Sequence, residues 1–142
     1  MELMFGRFED LVRGRSGKFS ALLISGEGAA VTLEKRLRRM GGEVRRQEHL
    51  GEDSPDDHPR VAVIDCDLLG GVTEVATTLA RRKSLSRAFA GAILIGSDQP
   101  DEDFARTDGD QGPPLVRLCA PASTLSLRMA LEYVLGRRLS GW

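Results

Sequence analysis

The sequence predicts a three-layer α/β/α domain built on a five-stranded parallel sheet. Short, continuous apolar runs alternate with stretches whose apolar residues recur every three or four positions, and the 142 residues suffice for a single core. Runs that are apolar at every position read as strands covered on both faces. Parallel strands need crossovers that traverse a face, which helices supply.

Ala21–Ser25 (ALLIS) is the first such run, closed by Gly26 and Gly28. Ala30, Leu33, Leu37 and Met40 then mark one face of a helix, with Lys35, Arg36, Arg38 and Arg39 opposite and Gly41-Gly42 as its stop. Glu43–Leu50 suits a polar edge strand, and GEDSPDDHP over 51–59 a loop. RVAVID over Arg60–Asp65 is the clearest strand, β-branched and ending in a carboxylate. Val72, Val75, Ala76 and Leu79 give the next helix stripe, followed by a segment through Leu85 and Phe89, and GAILIG over Gly91–Gly96 is a fourth strand. Ser97–Pro114 is acidic and punctuated by Gly and Pro, so it is expected to be mostly loop, with at most a short helix at Asp101–Arg106. LVRLC over Leu115–Cys119 is the fifth strand. Leu127, Ala130, Leu131 and Val134 face a last helix that ends near Gly136, with Ser123 as its expected N-cap. Ahead of all this, Met4, Phe5, Phe8, Leu11 and Val12 form the stripe of a short amphipathic helix that needs an apolar neighbour.

Composition removes several classes of function. With 41% apolar and 29% charged residues the chain is globular in type, and no apolar run approaches the roughly 20 residues of a membrane span. Twenty basic residues nearly cancel 21 acidic ones, so no global positive field exists to gather nucleic acid. Charge is uneven along the chain, however. Arg7–Arg46 holds ten basic and five acidic residues, Gln47–Glu74 one basic and eight acidic, and Asp98–Asp110 six acids with Arg106 alone. This pattern fits solvated faces or a partner-docking surface. Cys66 and Cys119 lack metal-ligand spacing and are expected to be reduced thiols in a cytosol. His49 and His58 sit in or beside a polar loop without a neighbouring nucleophile.

Open parallel sheets bind ligands beyond the carboxyl ends of their strands. There the sequence places Ser25-Gly26-Glu27, Asp65-Cys66-Asp67, Gly96-Ser97 and Ala120-Pro121. With Asp65 closing VAVI, Pro121 following the fifth strand and Glu27 two residues beyond Ser25, the sequence resembles the receiver domain of bacterial response regulators. The resemblance covers roughly Phe19–Arg138. It divides the chain into an N-terminal amphipathic helix or extension at 1–18, a receiver-like domain at 19–139 and a tail at 140–142. It implies a flavodoxin-like sheet of order 2-1-3-4-5.

In that family two acids after the first strand hold magnesium, an Asp at the end of the third accepts phosphate, and a hydroxyl and a lysine bind the phosphoryl oxygens. Asp65 matches the phospho-acceptor. Ser25 and Gly26 stand where the metal-binding acids would be, and Ala120 stands in the lysine position. Gly96 takes the hydroxyl position with Ser97 one residue later, and Leu68-Leu69-Gly70-Gly71 replaces a proline-containing turn. The resemblance therefore implies a degenerate receiver with Asp65 as a vestigial phospho-acceptor and Ser25, Gly26, Glu27, Asp67, Gly96, Ser97, Ala120 and Pro121 as a vestigial pocket. The expectation is a cytoplasmic, non-enzymatic domain that needs no cofactor or metal. It would bind a protein partner or a second copy as a homodimer, without nucleic acid.

Two other readings compete. The first is an active receiver in which Glu27 or Asp67 helps Asp65 hold magnesium. The second is a nucleotide site at Gly26-Glu27-Gly28, although Val31 replaces the third glycine of the usual fingerprint and Glu27 would repel phosphate.

Overall fold

The computed structural model describes residues 19–47, 60–82, 89–106 and 111–139. The amphipathic stripe at 1–18, His49 and the end of the expected edge strand, the loop at 51–59 with His58, the Leu85 segment and the tail at 140–142 lie outside the described residues. Strands β1 (Phe19–Ile24), β2 (Gly42–Gln47), β3 (Arg60–Asp65), β4 (Gly91–Gly96), β5 (Asp103–Arg106) and β6 (Pro114–Cys119) form one sheet. Three helices accompany them: α1 (Glu27–Arg39), α2 (Val72–Arg81) and α3 (Thr124–Leu135).

The sheet order is β2-β1-β3-β4-β6-β5. Five strands are parallel, and the order begins as in flavodoxin-like folds. β5 pairs antiparallel with β6. The expected five-stranded sheet is thus a six-stranded one, and the short helix expected at Asp101–Arg106 is an edge strand. Its pairing explains why. Asp103 faces Arg117 across the ladder with an ion pair at 2.6 Å, and Phe104 meets Tyr133 of α3 edge-on, centroids 5.1 Å apart. Cross-strand charge and aromatic contacts of this kind outweigh the weak local preference of four residues.

Both faces of the sheet are buried, which is why the strands read as unbroken apolar runs. Phe19, Ala21 and Leu23 of β1 join Val61, Val63, Ile93, Ile95, Val116 and Leu118 in the core under α1 and α3. Leu22 and Ile24 join Ala62, Ile64, Ala92, Leu94 and Leu115 in the core under α2. The helix stripes are those read from the sequence. Ala30, Leu33, Leu37 and Met40 are buried on α1, Val72, Val75, Ala76 and Leu79 on α2, and Leu127, Ala130, Leu131 and Val134 on α3. Ser123 caps α3 by accepting from the Ser126 N–H at 3.0 Å, and Gly136 closes it in the left-handed region at φ 68°.

α1 is also tied to the far side of its layer. Arg36 turns from the expected solvent side to donate to the Ala122 carbonyl at 2.7 Å, fixing the helix to the loop after β6. At the other end of the sheet the first residue of β4 admits α3 closely. A Cβ on Gly91 would lie 2.6 Å from Val134 Cγ1 and 2.6 Å from the Pro114 carbonyl oxygen.

Gly91→Ala is expected to destabilise the fold by about 1–3 kcal/mol through overpacking. Gly28→Ala, in α1 with nothing within 4 Å of the added methyl, is expected to stabilise it by about 0.5–1 kcal/mol. Urea unfolding of the two variants checks the opposite signs.

Candidate functional site

The carboxyl ends of β1, β3, β4 and β6 form one rim, and most of the residues singled out in the sequence meet there. Asp65 ends β3, half-buried, and caps the following 3-10 turn, Cys66–Leu69. Its Oδ1 accepts from the Asp67 N–H at 3.3 Å. Ser25 Oγ lies 3.4 Å from Asp65 Oδ2 and 3.3 Å from the Gly26 carbonyl oxygen, so its single hydrogen is shared between two acceptors. Among the described residues no lysine or arginine pairs with Asp65.

The neighbouring carboxylates are engaged in holding loops. Asp67 Oδ1 accepts from both the backbone N–H of Ser97 at 2.9 Å and its hydroxyl at 3.0 Å, tying the loop after β3 to the loop after β4. Asp98 reaches the start of α2, where the Val72 N–H donates to its two oxygens at 3.1 and 3.2 Å. α2 begins after Gly71, which has no side chain to cap it, so Asp98 supplies the missing N-cap from across the rim. The junction is tight enough to require glycines. Gly71 sits at φ 103°, a Cβ there would lie 2.6 Å from Asp98 Oδ2, and one on Gly96 would lie 2.5 Å from Val72 Cγ2.

Leu68 fills the space in front of β1. Its Cδ1 would be 2.6 Å from a Cβ on Gly26, although the side chain is otherwise 66% exposed. Of Glu27 only the backbone is described, at the first turn of α1. Ala120 follows β6, its N–H donating to the Gly96 carbonyl at 3.1 Å, and the Ala120–Pro121 peptide is cis. Among the described residues no group of three or more His, Cys, Asp or Glu is arranged to hold a metal ion.

Position by position, then, Ser25, Gly26, Asp65, Asp67, Gly96, Ser97, Ala120 and Pro121 gather at one rim. Among the described residues only Ser25 hydrogen-bonds the Asp65 side chain through its own. Ser97, one residue beyond the hydroxyl position that the family pattern implies, is committed to Asp67. Asp98 is the functional-end residue the sequence reading missed. A helix starting directly after Gly70-Gly71 without a capping side chain was the available signal, since its first N–H groups must find an acceptor elsewhere.

Cys66 and Cys119 are both free thiols, Cys66 buried and Cys119 exposed. Burial pushes the Cys66 thiol up to about 12, opposed by a backbone hydrogen bond from Ile95 and reinforced by the charges of Asp65, Asp98 and Asp67. Asp65 and Asp67 flank Cys66 in the sequence, but desolvation is the larger cause. A thiol held protonated this way is a poor nucleophile.

Asp98→Ala is expected to cost about 1 kcal/mol, the usual worth of a helix cap, in urea unfolding. For Cys66 the sign is set by proton counting. Above its ordinary value of 9.0 the unfolded chain loses the thiol proton while the native chain keeps it to about 12, so native stability falls as pH rises through that window. A thiolate-directed reagent at pH 9 is expected to modify native Cys119 and to spare Cys66 until denaturant is added; labelling of both thiols at equal rates in the native protein would contradict this.

No helix among the described residues is long and apolar enough to cross a membrane. Compared with protein-family models, with curated proteins and with solved structures, the chain finds no match. The chain is a mixed α/β protein with a mostly parallel sheet of order 2-1-3-4-6-5.

Proposed function

We propose that this chain is a receiver-type domain in bacterial signalling or regulation that has lost phosphotransfer and works through contacts with other proteins. The observation that supports this most directly is the surroundings of Asp65. The carboxylate stands at the end of a central strand, where a phospho-acceptor would. On the receiver pattern, Ser25 and Gly26 after β1 and Ala120 after β6 take the places of two acids and a lysine, and only Ser25 among them hydrogen-bonds Asp65. One oxygen of Asp67 holds the loop after β4 through Ser97, and both oxygens of Asp98 accept from the first N–H of α2.

Magnesium prefers near-octahedral oxygen coordination and gives up its water reluctantly. Phosphorylation would turn the single charge of the Asp65 carboxylate into an acyl phosphate of up to two negative charges, beside Asp67 and Asp98. Leaving such a charge unpaired in a partly buried site costs about 3 kcal/mol or more. Leu68 over Gly26 further narrows the space in front of β1, where either a metal or a nucleotide phosphate would approach.

The surface best suited to a partner is the one changed most from the receiver pattern: the acidic segment Ser97–Pro114, with β5 in it, together with α3. Leu125 and Met129 are exposed there, and Phe104 is 37% exposed beside Tyr133. Exposed apolar side chains grouped in this way mark contact surfaces.

Incubation with acetyl phosphate and magnesium is expected to leave the mass of the intact protein unchanged. A gain of one phosphoryl group, absent in Asp65→Asn, would overturn the reading and establish an active receiver.

A further inference from the structure

The face of the sheet that carries α2 is covered unevenly. α2 buries its apolar side there, but towards β6 and β5 no second helix follows it among the described residues, because β5 lies between β4 and β6 in the chain. A cleft of about 360 Å³ lies between the flank of α2 and the β5–β6 pair. Thr73, Ala76, Thr77 and Ala80, three or four residues apart on α2, line one side of it. Asp103 of β5, Arg117 of β6 and Gln99 line the other. Arg117 is there because side chains alternate along β6. Val116 and Leu118 enter the core under α1 and α3, so Arg117 shares the side of Leu115, which enters the core under α2.

Much of the polar capacity of this lining is unused. The Arg117 side chain is only 30% exposed, yet among the described residues its guanidinium donates only through Nη1, to Asp103 Oδ2 at 2.6 Å. A guanidinium carries five N–H donors, and its Nε–Nη2 edge is a fork that matches a carboxylate with two parallel bonds. Asp103 keeps its second oxygen, and the Thr73 hydroxyl has no hydrogen-bond partner among the described residues. Thr77 gives its hydroxyl hydrogen to the Thr73 carbonyl, which leaves its oxygen as an acceptor.

We propose that this cleft binds a free α-amino acid with a small apolar side chain. The carboxylate takes the open edge of Arg117, with the Thr73 hydroxyl as a further donor. The ammonium group turns to the free oxygen of Asp103 and to the oxygen of Thr77, and the side chain lies against the methyl groups of Ala76 and Ala80. Charge selects this class. The carboxylate and ammonium of an amino acid are held on one carbon, and laid head to tail along the Arg117–Asp103 pair each meets its opposite. An anion without the ammonium would sit on Arg117 with the charge of Asp103 beside it and nothing to offset the repulsion. The volume is near the lower bound of the roughly 300–1,000 Å³ of small-molecule pockets, which suits a ligand of this size. The proposal does not depend on the receiver-type reading.

Titration of the isotope-labelled protein with L-alanine and with L-valine, followed through its backbone amide resonances, tests this. Saturable shifts centred on α2, β5 and Arg117 are expected, with acetate and inorganic phosphate binding at least about tenfold more weakly. Ala80→Leu, at an exposed helical position, fills the cleft without touching its charges and is expected to weaken alanine binding about tenfold or more, with the urea midpoint unchanged. Arg117→Lys, which keeps the charge and loses the fork, is expected to weaken it by a similar factor. No saturable shift with either amino acid up to about 10 mM would overturn the proposal. Acetate binding as tightly as alanine, or alanine binding untouched by Ala80→Leu, would overturn it equally.

Discussion

Burial of a parallel sheet on both faces is the constraint from which the rest of this structure follows. Every inner strand must be apolar at consecutive positions, so Leu22, Leu23 and Ile24 of β1 point alternately into two separate cores. Each fully buried Leu or Ile contributes about 1.5–3 kcal/mol, and the strands contain little else. Polar chemistry is consequently driven to the strand ends. Asp65 is the last residue of β3, where the ladder gives way to a turn, and its carboxylate accepts a hydrogen bond from the Asp67 N–H of that turn.

At that rim two carboxylates hold the fold together. Asp67 and Asp98 bridge three elements: the turn after β3, the end of β4 and the start of α2. Their partners are backbone N–H groups and a hydroxyl, which a loop offers without any cation. Charge-assisted hydrogen bonds of this type are roughly twice as strong as neutral ones and need no metal. The close approach depends on two glycines, Gly71 and Gly96, at which a side chain would collide with Asp98 and Val72.

The parts of this arrangement legible in the sequence were those written in periodicity. Four of the parallel strands and the buried faces of the three described helices follow from apolar spacing, because burial acts on every residue of an element at once; β2, half exposed, was legible only as a polar edge strand over Glu43–Leu50 and is described over Gly42–Gln47. β5 was not legible: DFAR is too short to show alternation, and its strand character comes from Arg117, Val116 and Tyr133, distant in sequence. Asp98 looked like one acid among six in a loop until α2 proved to lack a cap of its own. Arg36 looked like one of four basic residues on a solvent face, and only the position of Ala122 shows why it differs. Residues gathered at the strand ends were identifiable from topology, but the hydrogen bonds that decide their use depend on directions no spacing rule supplies.

The two margins of the sheet bear on how this protein can meet others. At one, β2 presents the exposed Glu43, Arg45 and Arg46. At the other, β5 is four residues long, carries Asp103 and Arg106 and runs opposite to its neighbours. Short, charged borders of this kind resist the backbone-to-backbone stacking by which sheets recruit extended peptides or grow into fibrils. Recognition of this molecule is thereby steered towards its helical flanks, where the identity of side chains, and not the generic hydrogen-bonding pattern of the main chain, selects what binds.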